Sequence, residues 1–347
     1  MKTKNLLILS TALVSLSACN SGGGSSADSQ TNQTSSISTK WTNVGGKAPN
    51  FIGGSNSVIY DKKNNSFFGV VRDSNGFSNL CSISANATPT DSWKCNVSLP
   101  DGYSVLHEPR DTIIGDNNGH LYIYGINIPI KNENINNRYV LKYNINTSNW
   151  ESAVQITYPT GMLEPWLPYH PMFISDMLIG VDINNPNDLA TIDLSTGTIS
   201  TESNFYNPKI YGAQTIANMI NLYYNNDDQL YTKSLISKGA VAQKVGAQQS
   251  AYYIGDLYAD KENLYTCGSH NISYLPIGAT ESTPWQELPP TSIYTYYNNN
   301  GNELKETTSC DNIFANDNTI YAYAEVFESI NQDSKVSTRL QLIKYQR

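Results

Sequence analysis

The sequence predicts an all-β fold made of repeated four-stranded units, and three observations carry that reading. One short grammar recurs six times between residues 57 and 323: an apolar strand, a tight polar turn, then a second strand with an aromatic residue near its start. Each pair is followed by further alternating strands, the last of which often opens with tryptophan. Finally, the sixth unit has no room for a fourth strand before Arg347, while Trp41–Val44 is a fourth-strand sequence lacking its first three.

In order, the paired strands are Ser57–Asp61 with Ser66–Val70, Thr112–Asp116 with Leu121–Gly125, and Met172–Asp176 with Met177–Val181. Gln214–Asn218 with Asn221–Tyr224, Asp256–Asp260 with Asn263–Cys267, and Asn312–Asn316 with Thr319–Tyr323 complete the set. The turns between them are mostly Asn, Asp, Gly and Lys, as tight hairpins demand; only the third pair has no clear turn. Third strands follow at Leu80–Ile83, Tyr139–Tyr143, Leu189–Ile192, Leu230–Leu235, Ile272–Leu275 and Leu340–Tyr345. Fourth strands opening with tryptophan are Trp93–Val97, Trp150–Val154 and Trp285–Leu288.

Joining Trp41–Val44 to the last unit completes it, and an N-terminal strand that completes the last sheet is how a β-propeller closes. Six such units read as a six-bladed β-propeller over residues 40–347. Seven blades with one degenerate unit, or an irregular β-sandwich, are the alternatives. Tyr143–Trp150 resembles the third-strand, turn and tryptophan pattern of kelch-like propellers, although the kelch double glycine and the WD dipeptide are weak or missing. On this reading the tryptophans pack between blades and are not platforms for a ligand.

The strand register also selects disulfides. Beyond Cys19 the chain has four cysteines, an even number that suits an exported protein. Cys81 and Cys95 flank one hairpin, and Cys267 and Cys310 fall on the same face of neighbouring blades, so the expected pairs are Cys81–Cys95 and Cys267–Cys310. No Cys/His spacing suits zinc.

Residues 1–18 have the shape of a signal peptide: Lys2 and Lys4, then an apolar stretch through Leu6–Leu9 and Ala12–Val14 that is too short to span a bilayer. Leu16-Ser-Ala-Cys19 resembles the lipobox of bacterial lipoproteins. That resemblance implies cleavage before Cys19 and acylation of its sulfur and amino group. Each buried methylene contributes about 0.8 kcal/mol, so two or three chains anchor stably. Asn20, in place of Asp, implies by the same resemblance export to an outer membrane, facing either the periplasm or the cell surface. Residues 20–39 are mostly Ser, Gly, Thr, Asn and Gln with almost no apolar content, too polar to order themselves, and read as a flexible tether reaching roughly 25 Å.

Only 15% of residues are charged, and the formal net charge is −8. Losing Lys2 and Lys4 takes it to about −10, which argues against a nucleic-acid partner. In a propeller the first-to-second turns, short here, share one face, and the long connections share the other. The long connections are Leu99–Asp111, Gly125–Arg138, Ile156–Pro171, Leu288–Cys310 and Glu328–Thr338. They bring Tyr103, His107, Glu108, Arg110, Trp166, Tyr169, His170, Tyr294, Tyr296 and Tyr297 to one face, a mixture suited to a protein or glycan partner. Alternatively, Glu164–His170 plugs the central funnel. Sequence signatures of hydrolases, metalloproteases, phosphate loops and EF-hands are absent, and no cofactor or metal is expected. An enzyme acting on a carbohydrate or lactone through Glu108, Glu164 and a histidine is the alternative to a binding module. Asp116–Gly119 resembles a fragment of a calcium loop but suits an ordinary hairpin turn.

Overall fold

The computed structural model describes residues 41–52, 57–75, 77–105, 113–127, 137–157, 169–182, 184–218, 220–226, 229–237, 239–248, 256–267, 272–289, 293–297, 303–330 and 334–347. Cys19, the signal segment and the tether lie outside them. The described residues all fall within one compact unit, Ser36–Arg347.

Strand β1 (Trp41–Asn43) opens the fold but belongs to its last blade. Blade 1 is β2 (Val58–Asp61), β3 (Ser66–Arg72), β4 (Ser78–Ser84) and β5 (Lys94–Ser98). In blade 2, β6 (Tyr103–Val105) and β7 (Ile113–Gly115) both pair with β8 (His120–Asn127), followed by β9 (Arg138–Asn144) and β10 (Asn149–Gln155). Blade 3 is β11 (Tyr169–Ile174), β12 (Met177–Asp182), β13 (Asn185–Asp193) and β14 (Ile199–Glu202). Blade 4 is β15 (Gln214–Ala217), β16 (Asn221–Asn226), β17 (Gln229–Ser234) and β18 (Gln243–Val245). Blade 5 is β19 (Leu257–Ala259), β20 (Asn263–Cys267), β21 (Ile272–Pro276) and β22 (Gln286–Glu287). Blade 6 holds β23 (Ile293–Tyr297), β24 (Glu303–Asn316), β25 (Thr319–Ile330) and β26 (Ser334–Gln346). The six sheets are antiparallel and form a six-bladed β-propeller, as the sequence predicted.

Closure is made by β1, whose Trp41, Thr42 and Asn43 lie opposite Tyr345, Lys344 and Ile343 of β26. Beyond it the Val44 amide donates to Leu342 O at 2.8 Å and the Ala48 amide to Leu340 O at 3.0 Å. The inner strands then touch in sequence around the ring, β2 to β7, β7 to β11, β11 to β15, β15 to β19 and β19 to β24. The seam from blade 6 to blade 1 is bonded by Asn312 Nδ2 donating to Val58 O at 3.3 Å and Asn316 Nδ2 donating to the Tyr60 hydroxyl at 2.8 Å.

The burial pattern follows from this stacking. The second residue of every second strand is 0% exposed: Phe67, Leu121, Leu178, Leu222, Leu264 and Ile320. Burying such side chains stabilises the fold by about 1.5–3 kcal/mol each. The core is accordingly divided into six clusters, one at each interface between neighbouring blades. Outer strands such as β5 and β10 are mostly exposed and read as polar.

Tryptophan links the blades as the sequence implied. Trp150, on β10, donates its indole N–H to Ser98 O at the end of blade 1 (2.9 Å). Trp285, just before β22, does the same to Ala247 O beyond blade 4 (3.0 Å), and Trp41 to Pro289 O beyond blade 5 (2.9 Å). In each case a fourth-strand tryptophan bonds the chain leaving the preceding blade.

A second recurring device was not legible in the sequence. In four blades a polar residue just before a third-strand leucine reaches the segment that ends the blade. Asn79 accepts from Ser98 Oγ at 3.1 Å, and Asp188 from the Asn204 amide at 2.7 Å. Gln229 Nε2 is shared among Leu230 O, Val245 O and Gly246 O, and Gln341 Nε2 among Leu342 O, Gly45 O and Gly46 O. Gly246 and Gly45 have φ of 73° and 70°. A Cβ there would stand 2.5 Å from Leu275 Cδ1 and 2.2 Å from Ile83 Cδ1 in the next blade, so glycine is required.

Both expected disulfides are present, Cys81–Cys95 within blade 1 and Cys267–Cys310 between blades 5 and 6. Blade 3 does have a turn: Ser175 and Asp176 take φ of 45° and 62°, forming a two-residue hairpin without the Asn-Gly that usually announces one. Three of the expected long loops need correction: Leu99–Asp111 contains β6, which pairs with β8. Much of Leu288–Cys310 is β23 and the first half of β24, and Glu328–Thr338 supplies the ends of β25 and β26. Their polar, weakly alternating sequences pair through the backbone, so β24, β25 and β26 run to 14, 12 and 13 residues against 9 or fewer elsewhere.

Candidate functional site: the channel and the long-connection face

The antiparallel order places the first-to-second and third-to-fourth turns on one face. On that face the turns are short and self-capped. Asp61 Oδ2 accepts from the Asn64 amide, Asp116 Oδ1 from the Asn118 and His120 amides, and Asp260 Oδ1 from the Glu262 and Asn263 amides. Asp116–Gly119 is therefore a hairpin turn, with His120 Nδ1 2.7 Å from Asp116 Oδ2. At blade 5, burial opposes ionisation of Asp260, but bonds from Arg347, two backbone amides and Tyr265 outweigh it and hold the carboxyl below its usual range.

All six inner strands line a central channel of about 290 Å³. Most of its lining residues are apolar, including Val58, Ile113, Phe173, Ile216, Leu257 and Phe314, but the surface they expose is about evenly polar and apolar. The polar groups in it serve the fold: Asp256 Oδ2 accepts from the Ile313 amide at 3.1 Å, Asn312 bonds Val58 O, and Gln214 accepts from the buried Tyr206 hydroxyl. Toward the short-turn face, the Lys62 ammonium sits 5.5 Å above the Tyr258 ring. Burial pushes its pKa below the usual lysine range against the opposing pull of Asp260 and Asp317.

The other face carries the second-to-third and blade-to-blade connections. Of the residues expected there, His107, Glu108, Arg110 and Trp166 lie outside the described residues, as does Glu164. Tyr103 is half-buried on β6, edge-on to Tyr139 with ring centroids 5.1 Å apart. Tyr169 and His170 are strand residues, not loop residues: they open β11, the inner strand of blade 3, with Tyr169 opposite Val181. Their neighbour Pro171 lines the channel. Tyr294, Tyr296 and Tyr297 are likewise strand residues, on β23 opposite Glu306, Leu304 and Glu303. The backbone thus assembles an inner-strand end and an added edge strand on the same side of the ring. Among the described residues no group of three His, Cys, Asp or Glu side chains could hold a metal ion.

No protein-family model and no curated protein matches this chain. Solved structures with similar backbones include YCF48 bound to a D1 peptide, at 9% identity and a TM-score of 0.44, covering 89% of this chain and 95% of that one. The mitotic checkpoint complex contains a chain at 8% identity and a TM-score of 0.45, with 98% and 100% covered. Oligogalacturonate lyase from Vibrio parahaemolyticus matches at 12% identity and a TM-score of 0.43, with 83% and 76% covered. Likeness at this level says nothing about a ligand or a reaction, and the propeller assignment rests on the sheet order itself.

Proposed function

We propose that this chain is an outer-membrane lipoprotein, anchored through acylated Cys19, whose propeller is a binding module for a protein or glycan presented to its long-connection face. The observation that carries the reading is the succession of lipobox, polar tether and propeller: Leu16–Cys19, residues 20–39, then a fold whose first strand is Trp41–Asn43. A lipid anchor followed by about twenty flexible residues holds a rigid domain near the membrane while leaving it free to turn. Aromatic and charged side chains on the connecting segments and strand ends of that face would supply contact area and hydrogen bonds to a partner.

Photo-crosslinking in cells tests the face. A benzophenone amino acid at Trp166 or Tyr294 is expected to give discrete adducts with envelope components, whereas the same probe at Asn118 or Lys261, on the short-turn face, gives none. Equal adducts from both faces, or none from Trp166 and Tyr294, would refute the assignment.

A further inference from the structure

We propose that a groove between blades 1 and 2 is a binding site for a neutral oligosaccharide. It opens beside the turns joining third to fourth strands, on the side opposite the long connections, so it is separate from the binding face proposed above and stands or falls independently of it. Its volume is about 1140 Å³, larger than the channel and slightly above the usual range of small-molecule sites.

The groove arises from an irregularity in blade 1. Strand β5 pairs with β4 only at Asn79, Leu80 and Ser82, with a register shift between Leu80 and Ser82. The outer end of β4 is therefore left without a partner strand, and the turn at Asn86–Trp93 and the β9–β10 turn of blade 2 form the sides.

Its chemistry is polar but almost uncharged. Eight of its eighteen lining residues are Ser or Asn, and only Asp91 and Lys94 are charged, with opposite signs. The Asp91 carboxylate is already engaged by the Thr88 amide and hydroxyl at 2.7 and 2.9 Å. These bonds hold its pKa below the usual carboxylate range. Such a lining has no net charge with which to recognise a phosphate or a basic peptide. Hydroxyl and carboxamide groups both donate and accept, which matches the alternating needs of sugar hydroxyls. The apolar strip of Phe68, Leu80 and Tyr143 along the same groove suits the C–H faces of sugar rings.

Trp93 supplies a second, independent sign. The fourth-strand tryptophans of blades 2, 5 and 6 each give their indole N–H to the preceding blade. Trp93, which lines the groove, is instead held edge-on by Phe51 at 5.0 Å, and its indole N–H has no acceptor among the described residues. Blade 1 thus lacks the link to the preceding blade that its counterparts keep, and Trp93 packs against the core between blades 6 and 1 while also lining the groove. A small shift of the ring would let a sugar oxygen accept from this unmet donor.

The test follows the indole N–H resonances of the full-length chain in detergent. Trp93→Phe identifies one signal among the five tryptophans. Neutral tetrasaccharides of glucose, mannose, galactose and N-acetylglucosamine are titrated separately to about 10 mM, a range that detects millimolar dissociation constants. At least one is expected to shift the Trp93 signal saturably. Asn96→Trp, at an exposed position on the groove wall, should weaken that binding at least about tenfold. No shift by any of the four sugars, or a shift unaffected by Asn96→Trp, would overturn the proposal. So would saturable binding of neutral peptides by this groove in place of sugars.

Discussion

Replacing Trp41 by alanine is expected to lower the unfolding free energy by about 3–5 kcal/mol, the range for truncating a large buried aromatic. Trp41 is only 6% exposed, packs in a tilted arrangement against Tyr345 with ring centroids 5.4 Å apart and bonds Pro289 O, so it ties β1 to its own blade and to blade 5. Its loss also loosens the one strand that closes the ring, exposing the edge of β26 to pairing with other chains. In a urea titration the midpoint should fall with little change in slope. Trp285→Ala is the comparison: Trp285 makes the same kind of bond from a half-buried position but does not carry closure, so it should cost less. A Trp41→Ala cost below about 1 kcal/mol, or below that of Trp285→Ala, would contradict closure by β1.

The second large effect concerns Cys267–Cys310. The bond spans 43 residues, against 14 for Cys81–Cys95. Loop-closure entropy then assigns about 4 kcal/mol to the first and about 3 kcal/mol to the second. Cys267–Cys310 also joins two blades, holding blade 6 against blade 5 beside the inner strand β24, whereas Cys81–Cys95 staples a hairpin within one sheet. The double variant Cys267→Ala/Cys310→Ala should therefore lose more stability than Cys81→Ala/Cys95→Ala, measured under oxidising conditions. The reverse order would show that the inter-blade bond does not limit unfolding.

The propeller was legible because its repeats are written in the two signals that sequence carries best, alternation and turn chemistry. Six second strands each carry a large apolar residue at their second position, and the Asn, Asp and Gly between strands are needed for turns at positive φ. The register was clear enough to give both disulfides and the closing strand. What escaped had weaker local signals. The Ser175–Asp176 turn lacks glycine, and the long strands of blade 6 draw their pairing from backbone bonds to neighbours far away in sequence. The Asn79, Asp188, Gln229 and Gln341 contacts link segments up to 296 residues apart, so no local pattern announces them. The candidate face was legible only as a set of connections. Tyr103 proved to be packed against Tyr139, and the tyrosines of β23 lie on a strand. The groove was invisible in sequence because it depends on where β5 stops pairing with β4.

The lipid anchor is tested most directly by intact-mass analysis of the protein extracted from membranes. The expected species begins at Cys19, with residues 1–18 removed and the added mass of a diacylglyceryl group and an amide-linked acyl chain. Cys19→Ala should abolish that species and release the propeller from the membrane fraction. A mature chain that begins elsewhere, or that begins at Cys19 without lipid, would contradict it.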